Sequence, residues 1–138
     1  MKVCMKKMYV FLAAAVLFSG CTSHNAKHSD SLKDISTMKD TVTVKPAGSY
    51  EECFSLTKDQ IMVYSFSSTN PVNFNIHYHG VDGIHYPVSE TQVNQYDGVF
   101  DPQRRGLDLD EQDSFCLMWE NQDMMQLSLS YECTVKGN

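Results

Sequence analysis

The sequence lacks the local signals on which many enzymes depend. It has no Gly-rich phosphate loop, no Gly-x-Ser-x-Gly turn and no His-Glu-x-x-His helix. It is also poor in cations, with 11 Lys or Arg against 17 Asp or Glu and a net charge of −6. Nucleic-acid binding depends on cations that contact phosphates, so this charge argues against a nucleic-acid partner. With 138 residues, we predict one domain that is not an enzyme.

No hydrophobic run is long enough to cross a membrane as a helix. The longest covers residues 8–18, and at about 1.5 Å per residue it spans about 17 Å of the roughly 30 Å hydrocarbon layer. Lys2, Lys6 and Lys7 precede this run. A basic start followed by a short apolar run is typical of a cleaved signal peptide, which we assign to residues 1–20.

The run Phe18-Ser19-Gly20-Cys21 resembles a bacterial lipobox, in which Phe18 takes the place of the usual Leu. This resemblance implies lipid attachment to the Cys21 sulfur and cleavage before Cys21. Several acyl chains anchor a protein stably where one chain does not. Thr22, rather than Asp, follows the cysteine, which by known sorting rules favours the outer membrane, facing the periplasm. The alternative is ordinary secretion.

Residues 21–47 are predicted to form the lipidated N-terminus and a flexible tether. The stretch 22–40 is rich in Ser, Lys, Asp, His and Asn, and its apolar residues are scattered. Such a composition buries too little apolar surface to offset the entropy lost on ordering. We therefore place the start of the folded domain at residue 48.

Beyond Thr41, apolar and polar residues alternate with a period of two, as in strands with one buried face. Turn residues separate the runs, and no amphipathic helix is evident. This pattern predicts an all-β fold, a single antiparallel β-sandwich of about seven or eight short strands over residues 48–136. The clearest predicted strands cover residues 50–56, 61–67, 72–79, 84–88, 93–100, 114–120 and 125–135.

Three histidines fall within one predicted hairpin. Val81-Asp82-Gly83 is expected to be a three-residue loop, with Gly83 in the left-handed region. In that register His79 lies opposite His85, and His77 shares their solvent-facing side, while Ile84 and Tyr86 lie on the buried side. Imidazoles grouped in this way can bind copper or zinc. The alternative is a polar outer face that uses histidine without a ligand.

The five cysteines predict one disulfide. Cys4 leaves with the signal peptide and Cys21 takes lipid, so three cysteines remain in an oxidising compartment. Cys53 and Cys116 both lie opposite the apolar face of their predicted strands, whereas Cys133 lies on that face. This parity favours a Cys53–Cys116 disulfide and leaves Cys133 as a buried free thiol.

Three short motifs within residues 48–136 are Glu52-Cys53-Phe54, Gly98-Val99-Phe100 and an aromatic-cysteine strand from Phe115 to Asn121. In these motifs the domain resembles the GOLD domain, a small β-sandwich of eukaryotic cargo receptors of the early secretory pathway. The resemblance implies a binding module with no catalytic residues, and a disulfide between its two strand cysteines. The link over residues 102–113 is longer than in that family.

We therefore expect a non-enzymatic cell-envelope lipoprotein whose β-sandwich binds a protein partner or ligand and needs no cofactor. The alternative is a periplasmic protein that binds copper or zinc through His77, His79 and His85. A third hypothesis is a redox protein that uses Cys133, which requires that thiol to be exposed.

Overall fold

The structure is a computed structural model that describes residues 34–109 and 113–137. The predicted signal peptide, the lipid acceptor Cys21 and the predicted tether as far as residue 33 lie outside the described residues. Within the described part, no helix has the length and hydropathy needed to cross a membrane.

Six strands make up the described ranges, and the predicted all-β class is confirmed. Every pairing is antiparallel. The strand order is β1-β6-β3-β5-β2, and β4 pairs with β3. The strands are β1 (Asp34–Val44), β2 (Ser49–Leu56), β3 (Gln60–Gly80), β4 (Gly83–Phe100), β5 (Asp113–Glu120) and β6 (Leu127–Gly137).

The long strand β3 changes neighbours along its length. The first half of β3, residues 60–68, pairs with β6, and its second half, residues 73–78, pairs with β5. β4 follows β3 along most of its length. The sequence predicted four short strands in this region, and that count is wrong. A register shift between Ser67 and Val72 bends the pair without ending it, since a β-bulge adds a residue and twists the strand locally.

The predicted tether is wrong over residues 34–44, which form β1. This strand pairs with β6 from Asp34 opposite Lys136 to Val44 opposite Leu127. Val44 is buried and Val42 packs against the core, while residues 36–41 are exposed. An edge strand gains its backbone hydrogen bonds from its neighbour, so it needs little apolar surface of its own. Composition alone therefore misses it.

The core is built around the single tryptophan. The ring of Trp119 on β5 lies 5.7 Å from Phe66 and 5.6 Å from Phe74, both on β3. The Tyr131 ring on β6 lies 5.2 Å from Trp119. Rings at these separations add to the stabilisation from burying apolar surface. The apolar residues of the alternating sequence pattern therefore face this aromatic core.

Candidate functional site at the hairpin end

The end of the β3–β4 hairpin has a different turn from the predicted one. Gly80 pairs with Gly83, so the loop contains two residues, Val81 and Asp82, rather than three. Gly83 has φ 137°, a conformation that side chains with a Cβ rarely adopt. A register shift beyond Tyr78 then restores the pairing that the three-residue loop predicted. The sequence was therefore right about the register of the hairpin body and wrong at its tip.

This local register separates the three histidines, so the predicted three-imidazole cluster is wrong. His85 lies opposite Tyr78, and its ring stacks on the tyrosine at 4.9 Å. The His77 and His79 rings lie 5.7 Å from each other on the other face. A shift of one residue moves a strand side chain to the opposite face, which is why His85 leaves the pair.

His85 is held in place by the turn itself. Its Nε2 lies 2.7 Å from Oδ1 of Asp82. The hydrogen bond from His85, aided by a backbone hydrogen bond and the nearby imidazole charge, lowers the pKa of Asp82. The turn therefore carries a carboxylate paired with a histidine.

The outer face of the tip exposes large apolar side chains. Val81 is fully exposed, Ile84 is 49% exposed and Tyr86 is 53% exposed. Ile84 lies opposite His79, which is exposed as well. The sequence predicted Ile84 and Tyr86 on the buried face, and the bulge moves them outward. We call His79, Val81, Ile84 and Tyr86 the hairpin-end surface.

A pocket of about 490 Å³ adjoins this surface. Arg105, from the loop after β4, donates from its guanidinium to the Pro87 carbonyl oxygen at 2.6 Å. The guanidinium carbon also lies 5.6 Å from the centre of the Phe100 ring. These two contacts fix a cation beside aromatic rings. The pocket is lined by Tyr78, His85, Tyr86, Pro87, Arg105 and Leu107.

A second depression, also of about 490 Å³, crosses the outer face of β1, β6, β3 and β4. Its floor is made of small hydroxyl side chains, including Ser65, Ser67 and Ser130. Lys39 and Glu132 form an ion pair of 2.8 Å on its lining. This face is mostly polar, although Phe66, Tyr96 and Tyr131 also line it, whereas the hairpin-end surface exposes two aliphatic side chains beside a tyrosine and a histidine.

The predicted disulfide is present, and the predicted free thiol is buried. Cys53 and Cys116 lie opposite each other on β2 and β5 and are bonded. Cys133 is a free cysteine, fully enclosed on the inner face of β6. Burial, with a smaller contribution from Glu52, raises the pKa of this thiol to about 12. The thiolate needed for redox chemistry is therefore disfavoured at Cys133.

His77 is a buried neighbour of the hairpin-end surface, and its ring lies 5.7 Å from that of His79 and 5.8 Å from that of Tyr86. It is only 4% exposed. Its Nδ1 donates to Oδ1 of Asn75 at 2.9 Å, and its Nε2 lies 3.5 Å from Oε2 of Glu51. The sequence gave no signal for Glu51, because strand pairing alone brings it beside His77.

The fold and its exposed surface define a small all-β domain with an apolar hairpin end. No protein-family model matches the chain, and no curated protein matches it. Among solved structures, the Yersinia pseudotuberculosis-derived mitogen is similar, with 12% identity and a TM-score of 0.46. The match covers 75% of this chain and 86% of that chain. A likeness at this level carries no functional argument.

Proposed function

We propose that the protein is a non-enzymatic, lipid-anchored binding module of the cell envelope that contacts a protein partner through its hairpin-end surface. The observation that carries this proposal is the exposure of Val81, Ile84 and Tyr86 at the end of the β3–β4 hairpin. The resemblance of its motifs to the GOLD domain also supports a binding role.

The chemistry of the hairpin end fits a protein partner. Tyrosine and arginine are enriched in protein interfaces, and the strongest contacts centre on such anchors. Tyr86 supplies an exposed ring, and Arg105 supplies a cation that Pro87 and Phe100 already hold in place. A fixed guanidinium loses less conformational entropy on binding than a free one. The groove across β1, β6, β3 and β4 is also lined by Tyr96 and Tyr131, but Tyr131 is buried and Tyr96 is only partly exposed.

The start of β1 lies at the end of β3 opposite the hairpin. Asp34, the first residue of β1, pairs with Lys136, which pairs with Ile61 near the start of β3. β3 then continues to Gly80, and 19 residues at about 3.3 Å each give a contour of roughly 63 Å.

In-cell photo-crosslinking tests the binding surface. A photo-reactive amino acid replaces Tyr86 in the full-length protein, and a second chain carries it at Ser67 on the polar groove. We expect a discrete adduct from position 86 and none from position 67. Adding Ile84→Asp should abolish the adduct, whereas Val99→Asp should not, although Val99 is 55% exposed in the same strand. No adduct at position 86, or the same adduct from position 67, contradicts the proposal.

Metabolic labelling tests the anchor separately. Cells producing the full-length chain are given labelled palmitate, and we expect label in this protein and none in Cys21→Ser. The Cys133→Ser chain is the matched control and should be labelled normally. If the parent chain is not labelled, the proposed lipid anchor is wrong. The proposed hairpin-end contact is then still judged by the crosslinking experiment.

A further inference from the structure

The outer face of β2, β5 and β3 brings together four groups that bind soft and borderline metal ions. Cys53 pairs with Cys116, and Cys116 pairs with His77 on the next strand. Glu51 lies two residues from Cys53 on the same face. Sγ of Cys53 lies 3.4 Å from Oε1 of Glu51. The sequence separates these residues widely, and the order β2-β5-β3 alone brings them together.

Three of the four donor groups already converge. One carboxylate oxygen of Glu51, one ring nitrogen of His77 and Sγ of Cys116 all lie within 4.8 Å of one another. Because Asn75 accepts the Nδ1 proton of His77, Nε2 is the ring atom that faces Glu51. Metal-binding histidines are commonly oriented by a hydrogen bond of this kind from the second ring nitrogen.

The disulfide joins an exposed cysteine to a buried one. Cys53 is exposed on β2, the strand at the end of the sheet path, whereas Cys116 is 6% exposed. A dithiol from solvent therefore reaches Sγ of Cys53 first. Its attack forms a mixed disulfide there and expels Cys116 as a thiolate beside His77. The second thiol of the reductant then displaces Cys53.

We propose that reduction of the Cys53–Cys116 disulfide by a dithiol converts this group into a Zn²⁺ site with Cys53, Cys116, His77 and Glu51 as ligands. The dithiol loses two electrons and becomes a disulfide, and its two protons pass to the two cysteines. Both protons leave when zinc binds, because the thiolate is the ligand. Four donors of sulfur, nitrogen and oxygen match the tetrahedral preference of zinc.

Two of the four donors already have the spacing that zinc requires. Zinc at about 2.0–2.3 Å from each donor sets the donors about 3.3–3.8 Å apart. Nε2 of His77 and Oε2 of Glu51 are already 3.5 Å apart. The two sulfurs must separate from their bond length, and reduction alone forces them apart. In the oxidised protein the disulfide consumes both thiolates, so this site exists only after reduction.

Cobalt titration of the full chain tests the site, with Cys4→Ser and Cys21→Ser introduced so that only three cysteines remain. The chain is titrated with Co²⁺, a spectroscopic probe for zinc sites, before and after reduction by a phosphine. We expect one Co²⁺ per reduced chain, with thiolate-to-cobalt charge-transfer absorption, and none per oxidised chain. His77→Ala should weaken binding at least about tenfold. His79→Ala and Cys133→Ser are matched controls and should bind normally.

The Cys53→Ser chain provides a second test that needs no reductant, because Cys116 stays free beside His77 and Glu51. It should bind Co²⁺ with a single thiolate, and Cys116→Ser should bind more weakly. The proposal is overturned if the oxidised chain binds Co²⁺ as well as the reduced chain does. It is also overturned if His77→Ala leaves Co²⁺ binding unchanged. Loss of β-sheet circular dichroism in both the reduced and Cys53→Ser chains also overturns it, since the ligands meet only on the folded sheet.

Discussion

Gly98 and Tyr64 lie directly opposite each other on β4 and β3, and the tyrosine ring fills the space that a side chain at position 98 would occupy. A Cβ on Gly98 would lie 2.6 Å from the Tyr64 hydroxyl oxygen and 2.8 Å from Cζ. Tyr64 is buried, and its ring also lies 5.6 Å from Phe74 in the core. The Gly98-Val99-Phe100 motif therefore has a packing role.

Gly98→Ala should destabilise the domain by about 1–3 kcal/mol, because the Tyr64 ring must move within a packed core. Urea unfolding monitored by circular dichroism measures this loss. Gly137→Ala is the matched control, since a Cβ there meets nothing within 4 Å. Equal stability of the two variants would show that Tyr64 moves aside freely.

Stability should fall at alkaline pH. Burial, as the largest cause, raises the pKa of Tyr64 from 10.0 to about 12 and that of Cys133 from 9.0 to about 12. The unfolded chain releases these protons first, so stability is fully present below about pH 9 and is lost as the pH rises through 12. Urea unfolding at pH 8 and pH 11 measures this. The loss of stability between pH 8 and pH 11 should be smaller in the double variant Tyr64→Phe, Cys133→Ala. An equal loss in that variant would contradict the assignment of the effect to Tyr64 and Cys133.

Asn121 joins the end of β1 to the loop before β6. It is buried, and its Nδ2 donates to the carbonyl oxygens of Lys45 at 3.0 Å and Met125 at 2.8 Å. Asn121→Ala leaves these acceptors without their donor and should cost about 2–3 kcal/mol. Gln122→Ala, at an exposed neighbouring position, should change the unfolding free energy by less than about 0.5 kcal/mol. Calorimetric melting of both variants checks the difference.

Trp119 carries a buried polar atom, Nε1, whose removal should lower the free energy of unfolding only slightly. Among the described residues, its Nε1 has no hydrogen-bond partner. Trp119→Phe removes this unpaired donor while keeping a ring, so the cost should stay below about 2 kcal/mol. Trp119→Ala should cost about 3–5 kcal/mol because it opens a cavity. Similar urea midpoints for the two variants would mean that the ring contributes little.

The boundary of the domain is testable by truncation. A chain that begins at residue 48 lacks β1 and leaves the edge of β6 unpaired, whereas one that begins at residue 31 keeps it. Unpaired strand edges promote association, so the shorter chain should aggregate and the longer one should stay monomeric. Size-exclusion chromatography distinguishes the two. A monomeric, equally stable shorter chain would show that β1 contributes little to the fold.

Side-chain alternation made much of the domain predictable. Within β5 and β6, each residue lies on one face or the other by its position alone, so the sequence identified the buried face. The same parity placed Cys53 and Cys116 outward and Cys133 inward, as the structure shows. Alternation is a local property of the chain, which is why it can be read without knowing the neighbouring strands.

The sequence by itself determined the all-β class, the inner faces of β5 and β6 and the disulfide, because each depends on a repeat of two residues. Only the tertiary structure decided that residues 34–44 form a strand, that His85 lies away from His77, and that Glu51 lies beside His77. These features depend on backbone pairing between distant segments. A slip of one residue in that pairing changes which side chains meet, and the sequence carries little trace of it.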